Sequence, residues 1–225
     1  MATTLINRIE DYVGGRNTST SGAMKQTDWE IAISQWLSTT SREIFEIMPE
    51  SRLRNVAPTK STWTTSTQLL AKGKKIFSVE NSGGKKARLV DVSDLSKYND
   101  SSSLYYATTN DPVYTIDGGY IKLYEGGSEA GGTLHYIETP TVYYSDTEIT
   151  YFPFEYEDVV VIGAAIKARI RQLNDKRKEL EYYRSEDGGE DMELASMTGS
   201  EIQAMQGELQ ALKEEYNRTL EVLRQ

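Results

Sequence analysis

The chain reads as an α+β protein, a helical bundle with long C-terminal helices and a β-rich insert. Three observations predict this. Apolar residues recur every three to four positions near both ends of the 225 residues, which is one helical face. Between about 61 and 150 the pattern turns to short runs of Val, Ile, Thr and Tyr punctuated by Gly, Asn and Asp. Past Pro153 helical periodicity returns. The predicted domains are therefore residues 1–60, the N-terminal helices; 61–150, the β insert; and 151–225, a long helix and a heptad-patterned helix that pack with the N-terminal ones.

Taken in order, residues 2–13 place Leu5, Ile6, Ile9, Tyr12 and Val13 behind Thr3 and Thr4, a short amphipathic helix with a threonine cap. Residues 14–24, rich in Asn, Ser, Thr and Gly, read as a loop. Thr27 and Glu30, three apart, fit a capping box. The helix behind them carries Ile33, Trp36, Leu37, Ile44, Ile47 and Met48 on one face and stops at Pro49.

Eight strand-like runs follow, at 68–71, 75–80, 87–92, 104–107, 113–116, 120–125, 132–138 and 141–144. Tyr114 to Tyr124 reads as a hairpin joined across Asp117-Gly118-Gly119. Eleven of the fifteen tyrosines fall between Tyr98 and Tyr156. Tyrosine gives a half-buried sheet an apolar body with a polar tip, and the same residues serve a platform for sugar or nucleotide rings.

Pro153 suits the first turn of a helix, where its missing N–H goes unmissed. Glu155, Glu157 and Asp158 add negative charge where the helix dipole favours it. Val159, Ile162, Ile166, Ile170 and Leu173 then mark one face of a helix reaching about residue 183, roughly 45 Å long at 1.5 Å per residue. Residues 185–193 form an acidic, glycine-broken loop. In 200–223, Ile202, Met205, Leu209, Leu212, Tyr216, Thr219 and Leu223 alternate spacings of three and four, a heptad seam able to pair with the preceding helix as an antiparallel hairpin.

Composition narrows the function. Without cysteine there are no disulfides, zinc–thiolate sites or cysteine nucleophiles. No apolar run nears the roughly 20 residues that span a bilayer, and no signal pattern opens the chain, so a soluble protein kept inside the cell is expected. The net charge of −9 is uneven. Residues 1–110 carry 14 Lys/Arg against 11 Asp/Glu; residues 111–225 carry 11 against 23. Such an acidic half argues against a dedicated nucleic-acid reader.

Candidate chemistry is sparse. The single histidine, His135, lies in a strand-like run, and no Gly-x-Ser-x-Gly elbow presents a serine to it. Ser82-Gly83-Gly84-Lys85-Lys86 lacks phosphate-loop spacing and precedes a strand, so it reads as a hairpin turn. If its flanking strands pair, Lys72, Lys74, Lys75, Lys85, Lys86 and Arg88 form a basic tip for phosphate or an acidic neighbour; the competing reading is a solvated charged face. Glu186, Asp187, Glu190 and Asp191 lack the order of an EF-hand loop. No catalytic residue, cofactor or metal is assigned, and the chain reads as one that assembles.

The arrangement resembles the head-to-tail connector proteins of tailed bacteriophages, the adaptor or neck subunits beneath the portal. The residues carrying it are the helices at 3–13 and 28–48; Asp111-Pro112-Val113-Tyr114 with Gly118-Gly119-Tyr120-Ile121-Lys122-Leu123-Tyr124; and Phe152-Pro153-Phe154-Glu155-Tyr156-Glu157-Asp158 running into the small-residue stretch at 159–165. The β insert is longer than in compact members of that family. The resemblance implies a structural virion protein forming a homo-oligomeric ring, typically of twelve copies, in the virion neck. Portal and tail or neck proteins would be its partners, DNA would touch it only in passing through the lumen, and no membrane is involved. Ring assembly would occur in the host cytoplasm. Candidate interface residues are Trp36, Ile44, Met48, Tyr120, Tyr124, Phe154, Tyr156, Ile162 and Ile166. The small face of Gly163, Ala164, Ala165 and Ala168 would let neighbouring subunits approach closely. The alternatives are another virion component, for tail completion or capsid stabilisation, and a carbohydrate-binding module on the tyrosine-rich sheet.

Overall fold

A computed structural model describes residues 3–14, 25–53, 56, 59–150, 152–184 and 192–224. The loop expected at 14–24 and the acidic segment at 185–193 lie almost wholly outside them. In chain order the elements are α1 (Leu5–Val13), α2 (Gln26–Ile47), α3 (Glu50–Leu53), β1 (Thr59–Trp63), β2 (Leu69–Leu70), β3 (Lys74–Asn81), β4 (Arg88–Leu89), α4 (Leu95–Asn99), β5 (Val113–Asp117), β6 (Tyr120–Glu125), β7 (Ser128–Ala130), β8 (Gly132–Glu138), α5 (Glu157–Arg184) and α6 (Met192–Arg224). The fold is α+β, with two long C-terminal helices. It divides into a helical unit, residues 1–49 with 140–225, and a β unit, residues 50–139. Both edges fall earlier than the changes of hydrophobic period at 60/61 and 150/151. Residues 140–150, although Thr- and Tyr-rich, pair with α1: Leu5 N–H donates to the Asp146 carbonyl (2.7 Å) and Ile6 N–H to that of Tyr144 (3.1 Å). Those bonds satisfy amides that a helix start leaves without partners. The Thr4 side chain, at the cap position, makes no capping bond.

Helix α1 ends at Gly14, whose left-handed backbone (φ 68°) returns its N–H to the Glu10 carbonyl at 2.7 Å. The capping box does not form. Helix α2 starts one residue before Thr27, with Lys25 at the cap, and Gln26 donates to Glu30 Oε1 at 2.8 Å. At the other end Met48 is extended, as a residue preceding proline must be.

The helical unit is organised around α5. Pro153 stays extended just ahead of a short 3₁₀ turn, Phe154–Tyr156, instead of entering the helix. Residues 159–165 are then all buried. A helix apolar all round belongs in the middle of a core, and this one contacts α1, α2 and α6. It is therefore buried over a wider arc than the single face its periodicity suggests, while Ile170 on that face is exposed.

Helix α6 runs back along α5. The start of α5 meets the end of α6, where Tyr156 Oη donates to the Leu223 carbonyl at 2.9 Å; further along, Lys176 pairs with Glu201 at 2.7 Å. The heptad seam faces inward. Ile202 and Leu212 are buried, Met205, Leu209, Tyr216, Thr219 and Leu223 are half-buried, and the intervening positions are mostly exposed.

In the β unit, β1, β8 and β3 form one antiparallel sheet in that order, with a bulge in β3 between Ile76 and Ser78. A second sheet runs β2-β6-β5-β4, with β7 also on β6 and β4 parallel to β5. Side chains of both sheets meet in one cluster: Trp63, Val79, Leu134 and Tyr136 from the first, Ile121 and Leu123 from the second. The β5–β6 hairpin turns on Gly118 and Gly119, both at positive φ (58° and 84°), the backbone that a two-residue turn between twisted strands requires. Three strand expectations change. Residues 87–92 give only the two-residue β4 before a 3₁₀ turn at Val92–Asp94, and 104–107 and 141–144 are not strands.

Candidate interaction surfaces

The outward face of α2 borders a groove. Ile31, Gln35, Ser38, Thr39 and Arg42 line one side at helical spacing, and the segment 141–144 forms the other. That wall is held firmly. Tyr144 N–H donates to Ser34 Oγ (3.0 Å), Ser34 Oγ donates to the Glu30 carbonyl, and Asp146 closes a turn onto Tyr143 N–H at 2.8 Å. The groove has a volume of about 540 Å³, and Ile31 and Tyr143 stand more than half exposed at it. Arg42 has no ion-pair partner among the described residues.

Of the nine candidate interface residues, four serve the chain's own interior. Ile44, Met48, Tyr156 and Ile162 are buried in the helical unit and cannot form a subunit surface without unfolding it. Trp36 is half-buried, edge-on to Trp29 with centroids 5.7 Å apart. Ile166, Tyr120 and Tyr124 are half-buried as well. Phe154 alone is strongly displayed, at 76% exposure. Helical periodicity identifies a buried face but does not say whose core buries it.

The small-residue stripe is likewise internal. Ala164, Ala165 and Ala168 are fully buried. A Cβ on Gly163 would lie 2.5 Å from Thr40 Cγ2 and 3.1 Å from Tyr216 Cε2. The glycine thus lets α2 and α6 close on α5 within one chain. The acidic first turn of α5 is engaged too: Arg8 pairs with Glu157 (3.3 Å) and Asp158 (2.7 Å), and Glu157 also accepts from Ile149 N–H.

Arg169 was not singled out by the sequence. It is almost wholly buried on α5, donates to Gln172 Oε1 (3.0 Å) and the Tyr12 carbonyl (3.3 Å), and pairs with Glu208 of α6. Gln172 donates in turn to the Val13 carbonyl at 3.3 Å. The two side chains thus satisfy the last carbonyls of α1, where the helix dipole favours positive charge. Burial pulls the guanidinium pKa downward, opposed by Glu208. A charged residue three positions before a glutamine, just past the apolar stretch 159–166, was the available signal.

The basic tip does not assemble. β3 pairs with β8 along its length, so Lys72, Lys74 and Lys75 stand at one end of the strand and Lys85 and Lys86 beyond the other. Lys86 lies opposite Glu80, and the six steps from Lys74 to Glu80 at about 3.3 Å each separate the two groups by roughly 20 Å. Lys74 pairs with Glu138 at 3.6 Å over the Tyr136 ring, and Arg88 forks onto both oxygens of Asp111 at 2.9 and 2.6 Å. The turn at 82–86 is set by Asn81, whose amide oxygen accepts from Gly83 and Lys85 N–H.

His135 Nε2 lies 3.4 Å from Glu80 Oε2 without hydrogen-bond geometry, on the outer face of its sheet's middle strand. Among the described residues no three His, Asp or Glu side chains are placed to hold a metal. The acidic segment 186–191 lies outside them. On β6, Tyr120, Lys122 and Tyr124 alternate away from buried Ile121 and Leu123, with Lys122 held by Asp117 at 2.6 Å.

A loop in the β unit projects two large side chains. Leu104 is fully exposed and Tyr105 is 61% exposed. The loop is well braced. Ala107 N–H closes it onto the Tyr98 carbonyl (2.9 Å), Asp100 accepts from both Ser102 N–H and Ser102 Oγ, and the Tyr98 and Tyr105 rings meet edge-on. Those serine bonds hold the Asp100 carboxyl below its ordinary pKa.

Among the described residues, no helix is long and apolar enough to cross a membrane. The chain matches no protein-family model and no curated protein.

Proposed function

We propose that the chain is a structural subunit of a virion neck: a head-to-tail adaptor that forms a ring beneath a portal and lets DNA pass. The observation that supports this reading is the arrangement of one helical unit in two chain segments, with the β unit inserted between them. This is the order and character that the connector resemblance rests on. The helical unit carries 14 Lys/Arg against 24 Asp/Glu. Such a surplus suits a wall that phosphate backbone must pass without adhering. The ring would have about twelve copies as the resemblance implies, contact a portal on one side and tail or neck proteins on the other, and assemble in the host cytoplasm. Its role is assembly, with no catalytic step.

The test is electron microscopy of the purified chain, alone and mixed with a portal, together with light scattering. Closed rings, free or on the portal, are expected. A strictly monomeric species that also leaves a portal undecorated would overturn the reading.

A further inference from the structure

The exposed Leu104–Tyr105 tip and the α2 groove are different surfaces with matching character. A leucine with its whole side chain in water, on a loop fixed by its own hydrogen bonds, is a preformed apolar plug. The groove offers apolar lining from Ile31 and Tyr143 and a volume of about 540 Å³. That lies within the roughly 300–1,000 Å³ of clefts that take drug-sized ligands, room enough for a leucine and part of a tyrosine ring. The charges also correspond. Asp100, at the base of the tip, and Arg42, in the groove, each form no ion pair among the described residues. An unpaired charge at an interface steers encounter toward its opposite.

We propose that the tip of one copy seats in the α2 groove of the next, with Asp100 facing Arg42, as a repeating contact between subunits. This rests on the ring reading above and supplies its geometry. Because plug and socket are distinct patches, the contact is heterologous: it propagates around a ring where the rotation closes and along a filament where it does not. The tip would act as an anchor within a larger contact, as buried aromatic and aliphatic side chains do at interface centres.

The chain has no cysteine, so introduced thiols report alone. In the full chain, Leu104→Cys combined with Gln35→Cys should give, under mild oxidation, a ladder of multimers on a non-reducing gel. An equal mixture of the two single variants should stop at a mixed dimer. A second pair tests polarity. Leu104→Glu and Ile31→Glu alter side chains more than half exposed, so both should keep the wild-type circular dichroism. Each alone should lose self-association at least tenfold, whereas their mixture should recover dimers through its one intact plug and socket. Wild-type rings that persist in both glutamate variants and give no ladder would overturn this contact and leave the ring standing. An intrachain bond without a ladder would overturn it equally. A wild-type chain monomeric with and without a portal would remove both readings.

Discussion

Gly163→Ala is the sharpest probe of the helical core. The added Cβ would sit 2.5 Å from Thr40 Cγ2, where carbon atoms normally rest a full ångström further apart, and 3.1 Å from Tyr216 Cε2. Thr40 is a poor shock absorber: it is β-branched, stiff at χ1 on a helix, and only 1% exposed. Overpacking of this kind costs about 1–3 kcal/mol, and a blocked wall belongs at the upper end. Replacing a helical glycine by alanine returns about 1 kcal/mol. The net expectation is a loss of about 2 kcal/mol, or about 4–8 °C in Tm for a chain of this length. Thr40→Ala removes the obstructing methyl, together with a hydroxyl that has no hydrogen-bond partner. In that background the same glycine substitution should stabilise by about 0.5–1 kcal/mol, because only the tilting Tyr216 ring remains in the way. Urea unfolding followed by the helical circular-dichroism signal measures all four corners of the cycle. An effect of the same sign in both backgrounds would refute the reasoning.

The remaining predictions concern buried charge and pH. Arg169→Ala should cost about 2–3 kcal/mol in the same urea assay, because charge-assisted bonds to α1 and the pair to Glu208 are lost together. Arg169→Lys should recover less than half, since an ammonium cannot fork between Gln172 and the Tyr12 carbonyl; a change below about 0.5 kcal/mol in either variant would contradict the role described. For Asp100, whose carboxyl is held below its ordinary value by Ser102, the contribution is fully present above about pH 4 and is lost as pH falls through the lowered folded value. The Ser102 amide resonance should therefore stay constant down to pH 4 and move only below it; movement centred above pH 4 would contradict the carboxylate bond.

How far the sequence reveals this molecule depends on the range of the signal. The heptad seam from Ile202 to Leu223 faces α5 because its partner follows the same short-range period. The Gly118-Gly119 hairpin appears because only glycine tolerates that backbone without strain. The capping box fails since a local motif cannot tell that the helix already starts at Gln26. Residues 104–107 look like a strand by composition, yet the Asp100 turn chemistry just before them bends the backbone. The turn at 82–86 does bring Lys86 opposite Glu80, but the basic tip fails because β3 runs eight residues, which carries Lys72, Lys74 and Lys75 to its far end. Ile44, Met48, Tyr156 and Ile162 carry the signature of burial correctly; the partner burying them is their own chain. Strand β1 escapes notice because its inward positions, Thr59 and Ser61, are polar and Trp63 is its only apolar residue, so its burial alternates without any apolar alternation to read.

The pairing of Thr59 with Tyr136 at the margins of the β unit bears on how the chain is made. Antiparallel partners hold their Cα atoms about 5 Å apart, so once the insert folds, the stretches before and after it are tied at one place. Closing an unstructured loop of about 90 residues would cost roughly 4 kcal/mol by the logarithmic law. All strand pairings of the insert lie between residues 59 and 138, whereas α1 and α2 find their main helical partner in α5, more than a hundred residues later. On the ribosome the insert can therefore fold first, while the two N-terminal helices wait with their apolar faces unburied. The late helix then arrives at a site already tethered, and the order of synthesis becomes the order of assembly.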